Sequence, residues 1–85
     1  MAHYHLNLFN DADLMDEQGR DFRDLPAAKD EAIRSARELM AEHLMQGRPI
    51  DLDDRIEIAD CDGKTLATIA FRELITIKDR RNTPR

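Results

Sequence analysis

The sequence predicts an α+β domain in the order β-β-α-β-β, an antiparallel sheet with one amphipathic helix packed on one face. Three observations carry this. His3 to Phe9 alternates with period two, which is the mark of a half-buried strand. Asp24-Leu25-Pro26 opens a long segment whose apolar residues recur at helical spacing. Asp62-Gly63 stands between two further alternating segments and favours a hairpin turn.

Along the chain, Tyr4, Leu6 and Leu8 point one way and His3, His5, Asn7 and Phe9 the other. Asn10 to Gly19 is rich in Asp, contains Leu14 and Met15, and reads as a wide turn that closes at Gln18-Gly19. Arg20 to Arg23 is a short return strand with Phe22 inward. Asp24 then caps a helix, accepting from the unpaired N–H groups of its first turn, and Pro26 sits where a missing N–H costs nothing. The helix runs to about Gln46, and Gly47 stops it. Its stripe is Leu25, Ala28, Ala32, Ala36, Leu39, Met40 and His43, bordered by Ile33 and Leu44. Alanine at the centre lets the helix approach a sheet closely, while Arg34 and Glu38 lie one turn apart away from it and form a pair.

Asp51 to Asp54 is polar loop. Arg55 to Cys61 follows as a strand with Ile56 and Ile58 on one face. Lys64 to Phe71 returns, with Ala67, Ile69 and Phe71 on one face and Leu66, Thr68 and Ala70 on the other. Leu74, Ile75 and Ile77 either extend the sheet or form a short helical turn. Residues 1–78 form one domain, and 79–85 a polar, disordered tail containing Arg80, Arg81 and Arg85.

Composition narrows the function classes. At 85 residues the chain holds one domain with a thin core and little room for a deep ligand cavity. The net charge of −5 tilts against nucleic acid, whose binding rests on clustered Lys and Arg. A single cysteine fits a reducing, cytoplasmic setting. The first residues lack a basic stretch followed by an apolar run, and no apolar stretch approaches 18 residues, so neither a signal peptide nor a membrane span is expected.

Candidate chemistry is sparse. His3 and His5 share a strand face at a spacing that suits a metal ion, while a solvated strand face is the plainer reading. His43 reads as a core-edge residue with one hydrogen bond, or else as a buried base. Nucleophilic thiols need a cationic neighbour or a helix N-terminus; Cys61 has Asp60 and Asp62 beside it and reads as a bystander in a turn. Ser35 lies within the helix, away from any nucleophile elbow. The acidic residues Asp11, Asp13, Asp16 and Glu17 do not match a calcium loop and read as a solvated segment. No catalytic constellation and no cofactor pattern is expected. A second sheet face carrying Phe9, Ala59, Leu66 and Ala70, with His3 and His5 beside them, is the expected interaction surface, for a second copy of the chain or for another protein.

Two resemblances concern the same region. From Tyr4 to Met45 the chain has a strand with Tyr and His, then Asp16-Glu17-Gln18-Gly19, Phe22, and Asp24-Leu25-Pro26-Ala27-Ala28-Lys29-Asp30-Glu31-Ala32. This resembles a widespread family of small bacterial proteins built on a domain of unknown function. The Asp62-Gly63 hairpin and the return strand fit it as well. The resemblance implies the β-β-α-β-β order and no activity. Gly19 to Leu44 is also similar to HicB-type antitoxins in Asp24-Leu25-Pro26 and Glu31-Ala32, with Ala27 where those proteins have Gly.

Overall fold

The computed structural model describes residues 1–10 and 13–79. The elements are β1 (Ala2–Phe9), β2 (Asp13–Leu14), β3 (Arg20–Phe22), α1 (Leu25–Met45), β4 (Arg55–Ala59) and β5 (Thr65–Ala70), followed by a 3-10 turn at Phe71–Glu73. All strand pairings are antiparallel. β2 and β3 share one side of β1, and β4 and then β5 continue the sheet from its other side.

The class and the helix-on-sheet packing are as the periodicity requires. The segment after β1 is not one wide turn. It already pairs at Asp13 and Leu14, opposite Phe9 and Leu8, and pairs again from Arg20. The return strand of the first hairpin is therefore one strand in two pieces, and the order becomes β-β-β-α-β-β.

The helix is bounded as its sequence demands. The Asp24 carboxylate accepts from the Ala27 N–H at 3.0 Å. At the other end the Gly47 N–H donates to the Leu44 carbonyl and the Arg48 N–H to the His43 carbonyl, with Gly47 at φ 69°. This six-to-one and five-to-two pair satisfies two orphan carbonyls of the last turn. Ala28, Ala32 and Ala36 are each fully buried, and with Met40 they meet Ile56, Ile58 and Phe71. Tyr4, Leu6, Leu8, Phe22, Ala67 and Ile69 pack around this core. The short alanine side chains set the helix axis close to β4.

His43 lies at the edge of the core, half-buried, with Nδ1 3.3 Å from the Pro49 carbonyl. The 51–54 loop is less exposed than its composition suggests: Asp54 is buried, and its carbonyl accepts from the Phe71 N–H at 3.0 Å. Leu74 to Ile77 neither extends the sheet nor forms a helix. Leu74 and Ile75 pack on the core and Ile77 is exposed. Of the tail, only Asp79 falls within the described residues; Arg80, Arg81 and Arg85 lie outside them.

Candidate functional site

Between the pairs Leu8↔Leu14 and Tyr4↔Arg20, β1 contributes residues 5–7 and the return strand residues 15–19. The two extra residues must leave the ladder, and β1 loses its regular partner there. Asp16 replaces it. Its carboxylate accepts from the Leu6 N–H at 3.1 Å through one oxygen and from the Gly19 N–H at 3.0 Å through the other. Its own N–H donates to the buried Asn7 side chain at 2.8 Å, and its carbonyl accepts from His5 Nδ1 at 2.6 Å. One aspartate thus holds the bulge closed across the outer sheet face, the face opposite α1.

His3 completes the closure. Its Nδ1 is 2.7 Å from Asp21 Oδ1 and its Nε2 is 2.7 Å from the Gln18 carbonyl. A carboxylate and a carbonyl both only accept, so this geometry favours the form in which both ring nitrogens carry protons, the imidazolium. The Asp21 hydrogen bond, then the Gln18 carbonyl, then the charges of Asp21 and Asp16 raise its pKa above the ordinary 6.5. The His3 and His5 rings stand edge to face at 5.3 Å.

This arrangement has a checkable consequence. The folded pKa of His3 is raised, so its contribution to stability is complete below about pH 6.5 and is lost as pH climbs through the raised value. The melting temperature of the wild type should therefore drop over that interval more steeply than that of His3→Gln. An NMR titration midpoint for His3 at or under 6.5 would show that the two-acceptor geometry does not hold.

The geometry also bears on metal binding. Both nitrogens of His3 and Nδ1 of His5 face oxygen partners. Among the described residues no group of three His, Cys, Asp or Glu side chains stands close enough to hold a metal ion. Cys61 is exposed in the β4–β5 turn, with its sulfur 3.9 Å from the His3 carbonyl.

The rest of the outer face is a polar ladder rather than an apolar patch. The Arg55 guanidinium lies 4.5 Å from the Phe9 ring centroid, and its Nε donates to Glu57 at 2.7 Å. Thr65 donates to the other Glu57 oxygen at 3.1 Å. Arg55 holds the Glu57 carboxyl below its usual range. Ala59, paired with His5 and Thr65, is 4% exposed and offers a partner almost nothing. Leu66 is 39% exposed beside the register shift at Ile58/Ala59, and Ala70 is half-buried at the far end of β5. The fold thus joins His3 to His5 but sets Phe9, Leu66 and Ala70 apart, with charged and hydroxylated side chains between them.

The exposed apolar residues lie elsewhere. Leu44 (70% exposed) and Met45 (86%) stand open on the last turn of α1, Ile77 is open in the segment after the 3-10 turn, and Met1, Leu14 and Met15 are open on the first hairpin. At the C-terminal end of α1 a groove of about 240 Å³ is lined by Met40, Ala41, Leu44, Ile50, Leu74 and Ile75, with Arg37 at its rim. A second trough of about 500 Å³ runs along the outward face of α1 between Asp30 and Ala41. Two signals for these features were available in the sequence. Asp16 and Gly19 stand three apart, the spacing at which an aspartate caps a following turn. Leu44 lies off the core stripe, so the sheet does not cover it.

No curated protein and no solved structure matches the chain. A family model described as a domain of unknown function (DUF6894) matches residues 3–72, so the chain belongs to that family.

Proposed function

We propose that this domain is a protein-interaction module rather than a catalyst, and that the contact is made at the C-terminal end of α1. The observation that carries this reading is the apolar groove framed by Leu44, Ile50, Leu74 and Ile75, with Leu44 and its neighbour Met45 exposed on the last turn of the helix. A chain of this size has little apolar surface to spare, and apolar side chains lining an open groove fit a contact surface better than the single exposed residues elsewhere do. The chemistry-bearing side chains point the same way: His3, His5 and Asp16 are committed to closing the bulge.

A photo-crosslinking amino acid at Leu44 is expected to give one discrete protein adduct in cells, and Ile75→Asp in the same chain is expected to abolish it. The same crosslinker at Thr68 reports the outer sheet face. Adducts from Thr68 alone, or from neither position, would reject the groove as the contact surface.

A further inference from the structure

We infer that the partner is a second copy of this chain, docked with its α1 antiparallel to the first along the stripe Asp30, Ile33, Arg37, Ala41 and Leu44. This rests on the interaction reading above and names its partner. The stripe recurs at steps of three, four, four and three residues, which keeps it on one side of the helix, away from the buried alanines. The two surface troughs adjoin, since Arg37 and Ala41 line both. The floor is apolar: Ile33 is half-exposed, and Ala41 and Leu44 are open.

Charge selects the occupant. Arg34 is already engaged by Glu31 at 2.7 Å and Glu38 at 2.6 Å on its own helix. Asp30 and Arg37 make no ion pair or side-chain hydrogen bond among the described residues. They carry opposite charges on the same stripe, two turns or about 10 Å apart. A surface holding one anion and one cation at that distance complements itself when reversed. A two-fold axis beside Ile33 sets Asp30 of each copy against Arg37 of the other, packs the two Ile33 side chains together, and brings the start of each helix, near Arg23 to Pro26, to the Ala41 and Leu44 end of the other. Two ion pairs then form from side chains that make none among the described residues of the single chain, and the contact closes as an isologous dimer. Parallel docking would set Asp30 on Asp30 and Arg37 on Arg37, and repulsion excludes it.

The test is a charge exchange followed by sedimentation velocity, on full-length chains from about 10 to 300 µM. Wild type is expected to dimerise. Asp30→Arg alone and Arg37→Asp alone are each expected to weaken self-association by about tenfold or more, with unchanged circular dichroism because both sites are exposed. An equimolar mixture of the two single variants should recover the dimer, because one then presents two cations and the other two anions. The double variant Asp30→Arg/Arg37→Asp should recover it also. A wild type that stays monomeric, or single variants that associate as well as wild type, would overturn the proposal. So would a mixture that fails to pair. The Leu44 crosslink separates this from the underlying reading: an adduct with the mass of two chains supports both, and an adduct with a different protein keeps the groove but removes the self-association.

Discussion

Replacing Gly19 by alanine is expected to cost about 3 kcal/mol and to lower the melting temperature by roughly 15 °C. Two effects act together. Gly19 sits at φ +68°, where a Cβ meets the following carbonyl, a penalty of about 1–2 kcal/mol. The added carbon would also lie 2.7 Å from His3 Nε2, 2.8 Å from the Tyr4 carbonyl and 2.9 Å from His5 Cε1. The Tyr4 carbonyl is strand backbone and cannot yield, and the two rings can move only by leaving Gln18 and Asp16. Gly63 is the control: it has φ +84° but nothing within 4 Å of an added Cβ, so Gly63→Ala bears the backbone penalty alone. Urea unfolding of both variants gives the comparison. Equal costs would mean that the histidines do not close over the bulge.

The bulge also shows where sequence reading stops. The alternation of Tyr4, Leu6 and Leu8 and the helix from Asp24 to Gly47 are local patterns, and the fold follows them because burial on one face is a period-two or period-3.6 requirement. Ala28, Ala32 and Ala36 mark the contact stripe for the same reason. The two-residue mismatch between β1 and its return strand is not periodic. It depends on the register of two segments on either side of Asp16, and no pattern in either one reveals it. An acidic stretch therefore reads as a solvated turn until Asp16 is seen accepting from the backbone.

The candidate surface was legible only in part, for a related reason. Phe9, Leu66 and Ala70 do share the outer side of the sheet, but strand pairing inserts Arg55, Glu57 and Thr68 among them. Cross-strand neighbours, not neighbours in sequence, decide whether a face is apolar. The helix-end groove has the same origin. Its walls come from residues 40–44, 50 and 74–75, and only the chain reversals at Gly47 and at the 3-10 turn bring them together. The proposed contact surface therefore lies on the helix side of the molecule, while the side chains of His3, His5 and Asp16 close the first hairpin.

Phe71 links that surface to the core, and its truncation is expected to have the largest effect of any single substitution. Phe71 is 1% exposed and, with Ile58, is one of the two largest fully buried side chains. Phe71→Ala should cost about 3–5 kcal/mol, the lost transfer of the ring plus the cavity it leaves. Phe71→Leu, which refills most of that volume, should cost under about 1.5 kcal/mol. Leu66→Ala, at a site 39% exposed on the other face, should fall below both. The groove should respond as well. Leu74 and Ile75 follow Phe71 within one turn, and the Phe71 N–H bond to Asp54 holds the start of that segment to the loop before β4. Without the ring, the wall formed by Leu74 and Ile75 loses its anchor. Hydrogen exchange at 72–77 should therefore quicken more than global destabilisation explains, and crosslinking from Leu44 should fall with it. If exchange at 72–77 merely tracks the global unfolding free energy, Phe71 serves the core alone and the groove is held by something else.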